Sequence, residues 1–296
     1  MGVVLVEVPF NSAGVASGVA RMPAALRAAG LHDALPALDH VVAVDVGHLV
    51  AERGPSGFLA EDALVRAVTG AGAAVRRAVR AGSVVVVVAG DCPVLLGPLA
   101  ALADAGHRPG LVFVDGHEDA WPPALSPTGE AADSELGVAL GLVPGPAGLA
   151  DLLPTVDADD AVMLGPRDSA ELTAAGCPSL TGLVRSVDGG TLAEADPASV
   201  AAVVRSAVTA ALAGTGAWWL HVDLDVLSTA ALPAVDYPQP GGVDWERLGL
   251  VTRTALEVPG CAGVSVVIYN PDLDGGTAAP RIVRFVADLA AALAGS

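Results

Sequence analysis

The chain reads as an α/β protein built on a mostly parallel sheet, and three observations carry that reading. Short Val-rich runs alternate with Ala-, Leu- and Arg-rich segments of helical period along the whole length. One of those runs, residues 83–88, is an almost unbroken series of Val, the pattern of a strand covered on both faces. The polar residues suited to chemistry fall where such runs stop, at the carboxyl ends of strands, where parallel sheets gather their sites.

Taken in order, residues 3–8 form the first strand, followed by a turn at Asn11-Ser12-Ala13-Gly14. A helix follows around 23–29, with Pro23 suited to its first turn and Gly30 to the residue after its last. Residues 40–46 are the second strand. Residues 61–81 carry apolar side chains at helical spacing, with Arg66, Arg76, Arg77 and Arg80 on the wet side. The Val run comes next, then a helix over 97–105 and a strand from Leu111. Residues 161–164 are a strand ending in Gly165-Pro166-Arg167-Asp168, and 197–213 a helix. The strand 218–222 runs into Asp223-Leu224-Asp225. A helix over 245–258, a strand over 264–268 and a closing helix over 282–293 complete the chain. No repeat, linker or charge run interrupts this alternation, so 1–296 is expected to be a single domain.

Composition narrows the function. The 296 residues are 53% hydrophobic, enough for a large core. No stretch approaches the roughly 18 to 20 uninterrupted apolar residues of a bilayer span, so no membrane partner is expected. The first residues lack a basic region and read as a strand, which points to a cytoplasmic protein. Thirty-three acids against 15 bases give a net charge of −18, with no basic stripe for nucleic acid. Cys92, Cys177 and Cys261 are too widely spaced for a disulfide framework or a zinc motif. All the bases are Arg, which rules out a Gly-Lys-Ser/Thr phosphate loop, and no Gly-x-Ser-x-Gly elbow occurs. Gly70-Ala71-Gly72 lies inside a helical segment, so it is no dinucleotide fingerprint.

Three polar clusters remain. Leu111-Val112-Phe113-Val114 runs into Asp115-Gly116-His117-Glu118-Asp119, and in an extended backbone Asp115, His117 and Asp119 would share one face. Two carboxylates and an imidazole on one face are costly unless a cation neutralises them. Gly90-Asp91-Cys92 ends the Val run, and His221, Asp223 and Asp225 stand at alternate positions of a later strand. Brought together, these clusters form a divalent-metal site. Oxygen-rich donors favour Mn²⁺, while Cys and His pull towards Zn²⁺, Fe²⁺ or Ni²⁺. The number of acids suggests two metals sharing a water.

These residues resemble the ureohydrolase (arginase/agmatinase/formiminoglutamase) superfamily. Its Gly-Gly-Asp-His, Asp-Ala-His-x-Asp and Ser-x-Asp-x-Asp-x-x-Asp-Pro motifs are matched by Ala89-Gly90-Asp91-Cys92, by Asp115 to Asp119 and by the stretch from His221 to Thr229. Pro240-Gly241-Gly242, Asn270-Pro271 and Met22-Pro23-Ala24-Ala25-Leu26-Arg27 resemble further family motifs, in family order. The resemblance implies a three-layer αβα, arginase/deacetylase-like fold and two Mn²⁺ per chain, with Zn²⁺, Fe²⁺ or Ni²⁺ admitted by Cys92. It implies Asp115, His117, Asp119, Asp223 and Asp225 as metal ligands, and a homo-oligomer, trimer or hexamer. Asp119 would also orient a metal-bridging hydroxide for attack on an amidine-like carbon. Cys92 stands where the family has a histidine ligand, and is read either as a thiolate ligand or as a small core thiol. His221 stands where the motif has Ser, either as a compensating ligand, as a donor behind the ligands, or as a ring bonded to a backbone carbonyl.

The departures bear on substrate. The family Glu that pairs with a guanidinium is replaced by Ile268, and no His lies between His117 and His221 to act as a proton shuttle. Glu130 and Asp133, or Asp236, are candidates for holding the substrate, against the plain reading of solvated loop acids. The expected activity is metal-dependent hydrolysis of a linear amidine, as a guanidino, hydroxyguanidino or formimino compound. The alternatives are a non-catalytic relative with a structural or regulatory role, and a deacetylase-like amidohydrolase.

Overall fold

The computed structural model describes residues 2–295. Eight strands form one sheet: β1 (Val3–Val8), β2 (Leu38–Ala43), β3 (Val84–Ala89), β4 (Pro109–Val114), β5 (Ala161–Leu164), β6 (Arg185–Val187), β7 (Ala217–Asp223) and β8 (Cys261–Val267). Their spatial order is β2-β1-β3-β8-β7-β4-β5-β6. Every ladder in the sheet is parallel. Helices flank the sheet in a three-layer αβα arrangement, and one apolar cluster runs from Val3 to Leu293. Among the described residues no helix is long and apolar enough to cross a membrane.

Burial explains which elements declare themselves. Every residue of β3 and β7 is buried, as a strand covered on both faces requires. The edge strand β2 exposes Asp39, His40 and Val41, and its 38–43 extent lies two to three residues before the 40–46 that the sequence suggests. The helix Glu61–Arg80 buries Leu64, Val68, Ala71 and Val75 on one side. Its first turn carries Glu61 and Asp62 and its last Arg77 and Arg80, each matched in sign to the helix dipole. It crosses the helix Leu96–Asp104 at Gly72 and Gly97, where a Cβ on Gly97 would lie 2.8 Å from the Gly72 nitrogen. That close approach is the reason for glycine at both positions.

Because the ladders are all parallel, the carboxyl ends of β3, β8, β7 and β4 open side by side at one edge. Of the three polar clusters of the sequence, two follow β3 and β4, and the third spans the end of β7 and the turn beyond it. β4 ends at Val114, and Asp115 to Asp119 form an irregular loop, so strand alternation does not aim their side chains. Likewise only His221 and Asp223 share a face of β7, since Asp225 lies in the helical turn Leu224–Val226.

Candidate metal centre

Each strand end delivers its donors through a local backbone device. After β3, the Asp91 carboxylate accepts hydrogen bonds from the backbone nitrogens of Cys92 (3.0 Å) and Ser12 (2.6 Å), which fixes the turn opened by Cys92. The Cys92 thiol donates to Asp223 Oδ2 at 2.6 Å. After β4, Asp115 Oδ1 accepts from the His117 nitrogen at 2.8 Å. His117 Nδ1 pairs with Asp225 Oδ2 at 2.9 Å and lies 3.6 Å from Asp115 Oδ1. After β7, Asp223 Oδ1 accepts from the Asp225 nitrogen at 2.6 Å, and Asp225 Oδ1 from the Gly116 nitrogen at 3.1 Å. Gly116 packs closely under the Arg167 guanidinium and Asp225 Oδ1, so a Cβ there would have to displace one or both from their hydrogen bonds. Arg167 in turn donates to the carbonyl of Asp225 at 2.6 Å and braces the loop.

Asp119 is buried and adopts a left-handed backbone (φ 42°). Its carboxyl stands against Glu135, which opens the short helix Glu135–Ala139. Glu135 is a buried acid at the centre that the sequence reading did not single out. No motif marks it, and only the return of the 120–134 segment brings it to the strand ends. His221 is fully buried in β7, opposite Phe113 of β4 and Ser265 of β8. Its ring stacks on Phe113 with centroids 5.3 Å apart, and Nδ1 meets Ser265 Oγ at 2.7 Å. Its partner is thus a hydroxyl rather than a backbone carbonyl.

The electrostatics follow from five buried carboxyls side by side: Asp115, Asp119, Glu135, Asp223 and Asp225. Burial, then the charge of the neighbouring acids, pushes Asp119, Glu135 and Asp223 well above the usual carboxylate range. The same causes bring Asp115 to about 7. Asp225 goes down despite burial, because His117 pairs with it. Burial acts against a charge on His117, but Asp225 and Asp115 outweigh it and raise the imidazole. Burial, with Asp223, raises the Cys92 thiol, and burial takes His221 down to about 3. The charge this arrangement lacks is a cation.

The donors fit a divalent metal. Asp115 Oδ2, both oxygens of Glu135 and His221 Nε2 are buried with no hydrogen-bond partner. Two overlapping sets, Cys92-Asp115-Glu135-His221 and Asp115-His117-Asp225, each bring their ligand atoms within 4.8 Å of one another. Imidazole, carboxylate and thiolate are all divalent-metal ligands.

The centre floors a cavity of about 470 Å³, whose walls include Asp119, Asp168, Glu171, Asp236, Tyr237 and Ile268. Asp168 Oδ1 is buried and unpartnered. Ile268 holds a left-handed backbone (φ 71°), costly for a β-branched residue. Of the candidates for substrate contact, Asp236 lines the cavity and accepts from Asn270 Nδ2 at 2.7 Å. Asp133 lines it too, with one oxygen held by Ser126 (2.5 Å) and Thr128 (2.7 Å). Glu130 is not among the lining residues and reaches the cavity only through Tyr237, whose hydroxyl donates to it at 2.8 Å. Glu118 sits inside the metal motif yet points away, accepting from Ser179 Oγ (2.9 Å), Thr181 Oγ1 (3.2 Å) and the Leu180 nitrogen. Asp168 was visible in the sequence as a polar strand end, but without a role.

Comparison with known proteins agrees with this architecture. The chain is 25% identical over 291 residues to arginase of Bacillus caldovelox, covering 91% of each sequence. The structure of Bacillus caldovelox arginase superposes with a TM-score of 0.82 at 22% identity, over 97% of both chains. Formimidoylglutamase from Bacillus subtilis superposes with a TM-score of 0.72 at 16% identity, over 99% of this chain and 86% of that one. The model of the arginase family matches residues 1–294, and the chain belongs to that family.

Proposed function

We propose that this chain is a metal-dependent amidinohydrolase of ureohydrolase type, which cleaves a linear C–N bond in a cationic guanidino or amidine compound. The observation that carries the reading is the convergence of orphaned, buried ligand atoms at the floor of an acid-lined cavity. Asp115, His117, Asp119, Asp223 and Asp225, with Cys92, would hold two divalent ions, and the oxygen majority favours Mn²⁺. When bound, such ions supply Lewis acidity and bring the pKa of a water towards neutrality.

The chain's own residues supply the rest. Asp119, at the cavity floor, orients the attacking water, takes its proton and hands it to the departing amine. The amidine carbon loses that amine and retains the water oxygen, as urea, hydroxyurea or formamide according to the group attacked. Asp168, Glu171 and Asp236 line the cavity and suit a cationic substrate end, with Glu130 and Asp133 as supports of the flanking loop. No Lys or Arg is among the lining residues, so away from the metal centre a substrate carboxylate would face acids rather than a guanidinium or ammonium. Ile268 gives the reacting end an apolar wall where the guanidinium of plain arginine would want a carboxylate. A substrate with an amine at one end and a hydroxyguanidino, formimino or weakly held guanidino group at the other satisfies both demands. The same reading has one domain over the whole chain and a cytoplasmic homo-oligomer, trimer or hexamer, with no nucleic-acid or membrane partner.

The test is a panel of guanidino, hydroxyguanidino and formimino compounds, each with and without a carboxylate, assayed for urea, hydroxyurea or formamide release. Protein purified without chelator should carry close to two metal equivalents and turn over the amine-bearing compounds. Metal-free protein that stays inactive on the whole panel after Mn²⁺, Zn²⁺ and Co²⁺ are each added and combined would overturn the reading.

A further inference from the structure

We propose that Cys92, Asp115, Glu135 and His221 form one mixed-donor site for a borderline divalent cation of zinc or cobalt type, beside a harder Asp115-His117-Asp225 position. The inference rests on the amidinohydrolase reading for its second metal, but adds ligands and a metal preference to it.

Geometry comes first. One donor atom from each of the four residues lies within 4.8 Å of every other. All four side chains are buried, with exposures between 0% and 2%. Three of the four keep a ligand atom with no other partner: Asp115 Oδ2, Glu135 Oε1 and Oε2, and His221 Nε2. Leaving one buried polar atom unpaired costs about 1–3 kcal/mol, and orphaned atoms on three residues of one tight cluster mark a missing common partner.

His221 is held for this task by its own neighbours. Ser265 Oγ accepts from Trp219 Nε1 at 3.0 Å and stands 2.7 Å from His221 Nδ1. In the tautomer where Nδ1–H donates to the second lone pair of Oγ, Nε2, which has no hydrogen-bond partner, carries a free lone pair for a metal. The stack on Phe113 holds the ring plane. Glu135 completes the set from outside the sheet, because its helix starts where its carboxylate reaches back over the strand ends.

Donor chemistry then separates the two positions. The first offers a thiol sulfur and an imidazole with two carboxylates, the second an imidazole with two carboxylates only. Thiolate and imidazole favour Zn²⁺ or Co²⁺ over Mn²⁺. Binding at the first position converts the Cys92 thiol to a thiolate and releases to solvent the proton that it now donates to Asp223 at 2.6 Å.

Cobalt titration of the metal-free full-length protein tests this, with optical absorption as the readout. The wild type should bind Co²⁺ with an intense near-ultraviolet thiolate-to-cobalt charge-transfer band. Cys92→Ser should lose the band, and Glu135→Gln should weaken the same site by about tenfold or more while the second cobalt binds as before. Far-ultraviolet circular dichroism confirms that both variants are folded, and the isosteric Glu135→Gln covers a Cys92→Ser protein that is not. Cobalt bound without a charge-transfer band, or a band that survives in Cys92→Ser, overturns the mixed-donor site and leaves the hydrolase reading standing. Failure of the folded wild type to bind any divalent metal overturns the hydrolase reading itself.

Discussion

The Cys92 thiol reaches Asp223 Oδ2 across 2.6 Å, tying the end of β3 to the end of β7 although β8 lies between them. Just past β8, Ile268 holds a left-handed backbone, lines the cavity and donates its backbone nitrogen to the Gly90 carbonyl at 2.9 Å. Position 92 is therefore the place where one substitution tunes the metal. Cys92→His replaces a soft donor by a borderline one and should raise retention of Mn²⁺ over Zn²⁺ by about tenfold. Competitive dialysis against both ions measures it. An unchanged ratio would show that position 92 does not select the metal.

Asp168 lines the cavity and keeps one buried carboxylate oxygen with no hydrogen-bond partner. Asp168→Asn keeps the shape and removes the charge. A charge-assisted hydrogen bond is worth about 1.5–3 kcal/mol, so KM for an amine-bearing substrate should rise by roughly 10- to 150-fold with kcat nearly unchanged. A substrate lacking the amine should show no such rise. Steady-state kinetics on the pair of compounds separates the two.

The Tyr237 hydroxyl joins two loops at the cavity by donating to Glu130, whose carboxyl burial raises to about 7 against the Tyr237 bond, which lowers it. The folded state thus holds the Glu130 proton at a pH where the unfolded chain has released it, so stability falls as pH rises from about 4.5 towards 7 through this group. Glu130→Gln should flatten that part of the stability profile. Tyr237→Phe should move the Glu130 titration further up, since the bond that favours the charged form is gone. Carbon-13 NMR of the glutamate carboxyls follows the shift, and a titration that stays in place would mean that the bond does not form in solution.

The sequence carried the fold through its most repetitive signals and the site through its most unusual ones. The Val run of β3 and the period of the helix Glu61–Arg80 announced themselves, because a strand buried on both faces and a helix buried on one leave different patterns. The edge strand β2 blurred, since half-exposed residues impose little pattern, and the three-residue β6 left no trace at all. Asp115, His117 and Asp119 stood out as types, but their convergence is made by loop hydrogen bonds after Val114 rather than by strand alternation. Glu135 and Ser265 were invisible for a different reason. Each is an ordinary residue in its own segment, and acquires a role only through the segment it meets in space.

Arg27 shows the same division in a motif that the sequence did reveal. It pairs with the buried Glu7 of β1 at 2.5 Å, and His32 Nε2 meets the same carboxylate at 3.0 Å. Glu7→Ala removes the acceptor for both. With Arg27 half exposed, the guanidinium recovers water, so the loss should be about 1–3 kcal/mol rather than the larger cost of a stranded charge. Urea unfolding of the two proteins measures it, and a loss under about 0.5 kcal/mol, the range of ordinary surface substitutions, would make the pair incidental.

Gly97 tests the packing that holds the Cys92 turn in place. The helix Leu96–Asp104 follows directly from that turn and crosses the helix Glu61–Arg80 where Gly97 meets Gly72 and the carbonyl of Val68. In an isolated helix Gly→Ala would help, by about 0.8–1.0 kcal/mol. Here the new methyl meets backbone on the facing helix, which cannot rotate aside, and overpacking of that kind costs about 1–3 kcal/mol. The sign therefore decides between local propensity and tertiary packing. Gly97→Ala should lower the thermal midpoint and, by pushing the helix off its neighbour, shift Cys92 from Asp223 and weaken metal retention along with it. Gly106→Ala, just beyond the same helix with nothing within 4 Å of its Cβ, is the control. Its left-handed φ of 87° strains the backbone, so it should cost stability while leaving the metal affinity unchanged.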